Sequence, residues 1–162
     1  MKMIKYCAMG LVLASGALCF EEVFAAPTQN GFISLSESEN SGDSCGFDAI
    51  TGSYEMSSTS NCKNDTYSYF RLDNVPSATK IVFYSEGDCK KRPDWSFTVL
   101  TYKHPTTTKM LAIPDLNNRE EGTIVAAGVL LKKKYYDHGN IPGKLSCVIV
   151  CRSDTNCSLP NW

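Results

Sequence analysis

What this 162-residue chain lacks narrows its chemistry before any motif is considered. It has no excess of positive charge, because 16 Lys and Arg stand against 17 Asp and Glu for a formal net charge of −1. That balance excludes the basic stripe a nucleic-acid-binding domain needs. It is poor in histidine, with His104 and His138 alone. Neither lies in an HxH or HExxH arrangement, so a two-histidine metal site would need the fold to bring them together. No stretch carries a 3.6-residue apolar repeat flanked by caps, which argues against helices. Beyond Phe20 no apolar run is long enough to cross a bilayer.

The one long apolar run is at the start. Lys2 and Lys5 precede Cys7–Phe20, a stretch too short to span a membrane comfortably. Val23-Phe24-Ala25 then offers residues that a signal peptidase accepts. Cleavage is expected after Ala25, since a cut after Ala26 would put Pro27 directly behind the scissile bond. Residues 1–25 thus read as a signal peptide and 26–162 as a single secreted β domain, extracellular or periplasmic. A lipoprotein reading is weaker, because Leu18 precedes Cys19 where a small residue is required. Loss of Lys2, Lys5, Glu21 and Glu22 cancels, so the mature part stays at −1.

Six of the eight cysteines lie beyond that leader: Cys45, Cys62, Cys89, Cys147, Cys151 and Cys157. An even set in an oxidising compartment implies a disulfide framework and removes cysteine as a nucleophile. In an extended strand Cys147 and Cys151 would sit ~13 Å apart. A disulfide requires less than ~7 Å between Cα atoms. The two therefore take different partners, which removes three of the fifteen connectivities. The expected pairing is Cys45–Cys62, Cys89–Cys147 and Cys151–Cys157, the last closing a short turn.

Residues 28–64 are rich in Ser, Gly, Asn and Asp, with one apolar patch at 31–35, and read as a short strand followed by disulfide-tied loops. From Tyr67 the chain changes character. Runs rich in β-branched and aromatic residues recur at 67–72, 79–85, 95–102, 108–113, 123–136 and 144–152, separated by Pro, Gly, Asn and Asp. Trp95, Phe97 and Val99 share one face of their run, and Ile81 and Phe83 share one face of theirs. In 144–152, Leu145, Cys147, Ile149 and Cys151 alternate with Val148 and Val150, the pattern of a central strand. The run 123–136 exceeds a usual strand, and Gly128 suggests a bulge or bend within it. The expected fold is all-β, a disulfide-stapled sandwich.

One stretch carries a family resemblance. Asn64-Asp65-Thr66-Tyr67-Ser68, Phe70-Arg71-Leu72, Val75-Pro76 and Lys80-Ile81-Val82-Phe83-Tyr84 follow in an order that resembles a βγ-crystallin Greek-key motif. There an N/D-N/D-x-x-S/T-S calcium motif precedes a strand, and a short link leads to an aromatic one. Tyr69 stands where the second serine belongs, and Glu86-Gly87-Asp88-Cys89-Lys90 replaces the aromatic-x-Gly hairpin. The resemblance covers about 25 residues. It implies a Greek-key sandwich with Asn64, Asp65 and Ser68 as Ca²⁺ ligands. Read from the residues alone, Asn64-Asp65 is a polar turn entering a strand. Asn64-Asp65-Thr66 and Asn156-Cys157-Ser158 are also glycosylation sequons.

Candidate carboxylates for glycoside chemistry are Asp88, Asp94, Asp115, Glu120 and Glu121, most of them beside turn residues. The one local charge run is Lys132-Lys133-Lys134, followed by Tyr135-Tyr136. Strict alternation puts Lys132, Lys134 and Tyr136 on one strand face, a basic-aromatic surface suited to an anionic lipid head group, a sulfated glycan or a phosphate. The same run also reads as an edge strand shielded by lysines. The leading expectation is a secreted, non-enzymatic binding protein, a toxin, effector or inhibitor acting on a host or competitor protein, glycan or anionic surface. The alternatives are a small carboxylate-dependent hydrolase and a Ca²⁺-stabilised structural module. Thiol titration of the mature, unfolded and unreduced protein is expected to find no reactive thiol. Two or more would return cysteine chemistry to consideration.

Overall fold

The computed structural model describes residues 30–153 and Cys157. The signal-peptide reading of residues 1–25 lies outside them. The described residues form ten strands, β1 (Phe32–Ser36), β2 (Ser44–Asp48), β3 (Gly52–Glu55), β4 (Tyr69–Asp73), β5 (Lys80–Tyr84), β6 (Trp95–Thr101), β7 (Leu111–Ala112), β8 (Ile124–Ala126), β9 (Val129–Tyr136) and β10 (Cys147–Cys151). One short helix, α1 (Ile113–Asn117), joins them. The strands build two antiparallel sheets of order β2-β1-β4-β7 and β3-β10-β5-β6-β9-β8. The neighbours β10-β5-β6-β9 have the 4-1-2-3 order of a Greek key, with a long excursion through β7, α1 and β8 between β6 and β9.

Period-two alternation builds the core. Ile33 and Leu35 of β1, Phe70 and Leu72 of β4, Ile81 and Phe83 of β5, Phe97 and Val99 of β6, and Val148 and Val150 of β10 are all fully buried between the sheets. The Phe70 and Phe83 rings meet across the sandwich with centroids 4.4 Å apart, and Phe47 stacks on Tyr54 at 4.0 Å. Truncating a ring in such a place removes both its transfer energy and the packing of its neighbours, so Phe83→Ala is expected to cost ~3–5 kcal/mol. Trp95 closes one end of the core, its indole N–H donating to the Asn140 carbonyl at 3.0 Å.

The polar composition of residues 28–64 concealed two strands. β2 and β3 lie where only loops were expected, and β2 forms a hairpin with β1 in the register Ile33↔Phe47 and Leu35↔Cys45. The run 123–136 is two strands, not one. Gly128, at a φ of +88°, makes the turn between β8 and β9. A Cβ there would lie 2.9 Å from the Thr106 hydroxyl oxygen, so the turn requires glycine. The run 108–113 yields the two-residue β7 and then α1. Pro114 is tolerated in its first turn, where an N–H has no intrahelical acceptor.

The three expected disulfides are present: Cys45–Cys62, Cys89–Cys147 and Cys151–Cys157, with Cα atoms 5.1, 5.6 and 5.6 Å apart. β10 lies between β3 and β5, inside the large sheet. Its alternation sends Val148 and Val150 into the core and Cys147, Ile149 and Cys151 to the outer face. There they form a second apolar cluster with Val82, Tyr84 and Cys89, against which Cys157 packs. In the chain-entropy account, removing Cys89–Cys147, which spans 58 residues, costs about 4 kcal/mol, and removing the 17-residue Cys45–Cys62 bridge costs about 3 kcal/mol. Denaturant unfolding of the two paired Cys→Ala variants is expected to show that order.

Candidate functional site

The lysine run falls on β9, whose far side β8 covers only at Val129 and Leu130, so residues 132–136 border the sheet edge as the lysine-shielded reading expects. Its register against β6 overturns the shared face expected for Lys132, Lys134 and Tyr136. Val99 pairs with Leu131, but Thr98 pairs with Lys133, so a β-bulge leaves Lys132 without a partner. Residues paired directly across an antiparallel ladder share a face. Lys134 therefore lies opposite Phe97, and Tyr136 opposite Trp95, both on the side of the core. Lys133 and Tyr135, opposite Thr98 and Ser96, project from the outer face. The extra residue leaves Lys134 and Tyr136 together on one face and separates Lys132 from them.

The side chains follow that geometry. Lys134 is half-buried, and its ammonium donates to the Asn117 carbonyl at the end of α1, 3.1 Å away. Cations suit such a position, where helix carbonyls lack intrahelical partners. The Lys134 backbone N–H donates to Glu121 Oε1 at 2.9 Å, and the Tyr136 hydroxyl donates to the Gly139 carbonyl at 3.0 Å. On the outer face the Arg92 Nε–H donates to the Tyr135 hydroxyl at 2.7 Å, with the guanidinium carbon 5.2 Å from the ring centroid. Lys80, Lys132 and Lys133 are exposed, and no ion pair among the described residues involves them or Arg92.

Asn64, Asp65 and Ser68 each engage partners outside the set. The Ser68 Oγ is buried and accepts the Gly143 N–H at 2.8 Å. Asp65 Oδ1 accepts the Ser146 hydroxyl at 3.1 Å, and its Oδ2 lies 3.6 Å from the Lys144 ammonium. The Asn64 carbonyl accepts the Thr66 hydroxyl at 3.0 Å. These contacts latch the segment before β10 onto the turn before β4. Among the described residues no three His, Cys, Asp or Glu side chains converge as a metal-binding group.

The histidines sit on separate loops. His138 lies between two carboxylates, with Nε2 3.1 Å from Asp94 and Nδ1 3.3 Å from Asp137. His104 precedes a cis proline, and its Nδ1 accepts the Ser77 N–H at 3.4 Å. The candidate carboxylates are scattered likewise. Asp88 accepts the N–H groups of Lys91 and Lys90, which hold its carboxyl below the usual range. Asp115 lines a cleft of about 430 Å³ beside β7 and α1, with Glu39, Lys109 and Arg119 at its rim and Leu111, Leu116 and Val125 among its apolar walls. No ion pair among the described residues joins those four charged groups. Sequence reading missed this cleft because its walls come from five separate segments.

Beneath the loop that joins β5 and β6, burial pushes the Tyr84 phenol far above its ordinary value, and the charges of Asp88 and Glu86 add to the effect. The fold thus favours the neutral phenol. Its contribution is complete below the unfolded value of 10.0 and is lost as pH rises through the folded value. Between pH ~10 and ~12, wild-type stability is expected to fall more steeply than that of Tyr84→Phe. Denaturant melts across that range check it by comparing slopes, which sets aside any constant cost of the substitution.

No protein-family model, characterised protein or solved structure matches this chain.

Proposed function

We propose that the protein is a secreted, non-enzymatic binding protein whose outer sheet face recognises an anionic ligand carrying phosphate or sulfate groups. The observation that carries this reading is the bulge at Lys132. It turns Lys132 and Lys133 outward together, in line with the Arg92–Tyr135 pair. Their ammonium groups have no carboxylate partner among the described ion pairs, so an incoming anion meets charge that is not already neutralised. Lys80, two strands away on the same face, widens the field. By the strand spacing, its Cα lies ~12 Å from that of Lys133, within the combined reach of two lysine side chains.

The three disulfides support an extracellular or periplasmic setting, where such bonds persist. A stapled sandwich with an accessible cationic face suits a toxin, effector or inhibitor directed at a host or competitor molecule. The hydrolase alternative gains little support from carboxylates dispersed among a turn, a histidine clamp and a backbone cap.

Retention on an immobilised sulfated polysaccharide tests the reading. Wild type is expected to elute only with added salt, because screening shortens the reach of the lysines. Lys132→Ala/Lys133→Ala is expected to elute at clearly lower salt. Lys134→Ala should elute with wild type but melt at lower temperature, since its ammonium serves α1. Elution of the Lys132/Lys133 variant together with wild type would overturn the assignment.

A further inference from the structure

The outer face of the large sheet is cationic on one side of a cross-strand row and apolar along it. The register places Ile124 of β8 beside Leu130 of β9, Leu130 beside Leu100 of β6, and Leu100 beside Lys80 of β5. None of the three apolar residues belongs to the inner core, and Ile124 is 60% exposed. Tyr102 continues the face two positions past Leu100, its N–H donating to the Gly128 carbonyl, and is 48% exposed. Directly paired side chains have Cβ atoms about 5 Å apart, so Ile124, Leu130 and Leu100 form a continuous strip. Lys132 and Lys133 flank the strip on the strand that supplies Leu130, Lys80 ends it, and Lys103 follows Tyr102.

A free phosphate or a sulfated sugar would engage the lysines and leave the strip in water. An anionic bilayer meets both halves at once. Its phosphates lie level with the ammonium groups, and its head-group boundary accepts isoleucine, leucine and an amphipathic tyrosine ring. Exposed apolar surface with a polar rim marks protein or membrane interaction sites, and a cationic rim matches an anionic bilayer.

We propose that the protein docks on anionic lipid surfaces through this face, with Ile124, Leu130, Leu100 and Tyr102 entering the head-group layer and Lys80, Lys132 and Lys133 contacting lipid phosphates. This rests on the anionic-ligand reading above and narrows it to one partner. Each lysine near such a surface strengthens binding about five-fold, so Lys132→Ala/Lys133→Ala is expected to weaken it roughly 30-fold. Ile124→Ser, at an exposed position, is expected to weaken it about ten-fold through lost apolar contact.

The test is co-flotation of the full protein with vesicles of phosphatidylglycerol and phosphatidylcholine, and with phosphatidylcholine alone, in parallel with the polysaccharide column. Lys109→Ala, a change outside this face, is the control. Binding to the anionic vesicles only, weakened by the lysine pair and by Ile124→Ser or Tyr102→Ser but not by Lys109→Ala, supports the proposal. Lysine-dependent retention on the polysaccharide with no vesicle binding overturns the lipid assignment and leaves the anionic-ligand reading standing. Vesicle binding unaffected by Ile124→Ser and Tyr102→Ser overturns the insertion of the strip. Binding to neither probe overturns both readings.

Discussion

Strand β10 is the element on which both sides of the large sheet depend. It must satisfy two layers with five residues. Its valines complete the space between the sheets, while its two cysteines anchor the segments that cover the opposite face. An outer face carrying Val82, Tyr84 and Ile149 would otherwise be wet apolar surface, a hazard for any secreted β protein. Cross-linking the β5–β6 loop to β10 puts one flank of that surface under cover, and the adjoining strip at Ile124 remains open. Concealment and display therefore divide a single sheet face between them.

The cationic surface depends on a smaller device. One unpaired residue in β9 decides whether lysines reach solvent or helix α1. Because Lys134 turns inward, its ammonium meets the Asn117 carbonyl, while Lys132 and Lys133 stay exposed. Three consecutive lysines thus have two different surroundings. The Asp65–Ser146 and Ser68–Gly143 contacts do comparable work at the other end of β10, fixing the approach of the strand.

The sandwich and its disulfides were legible in the sequence because both rest on local geometry. Alternation marked Trp95, Phe97 and Val99 as one face, and four-residue spacing forbade a bridge between Cys147 and Cys151. β2 and β3 were illegible because Ser44-Cys45-Gly46 and Gly52-Ser53 have little strand propensity of their own. Pairing with β1 and β10 makes them strands. The face shared by Lys132, Lys134 and Tyr136 was misread for a sharper reason. Period-two counting assumes an unbroken ladder, and nothing in Leu131-Lys132-Lys133 announces the bulge that only the partner strand β6 reveals. The partners that Asp65 and Ser68 take, Gly143, Lys144 and Ser146, lie nearly eighty positions away, beyond any local pattern.

The loop between β5 and β6 exposes Lys90, Lys91 and Arg92 in succession, an inviting sequence for trypsin-like proteases outside the cell. A cut there would separate the chain into two fragments on paper only. Cys89, just upstream of the nick, remains covalently joined to Cys147, and β5 still lies between β10 and β6 in the hydrogen-bonded ladder. The nicked molecule would keep its halves covalently joined until a reductant arrived. Digestion in an oxidising environment would thus leave a two-chain protein, and passage into a reducing one would leave its halves held by the ladder and the core alone.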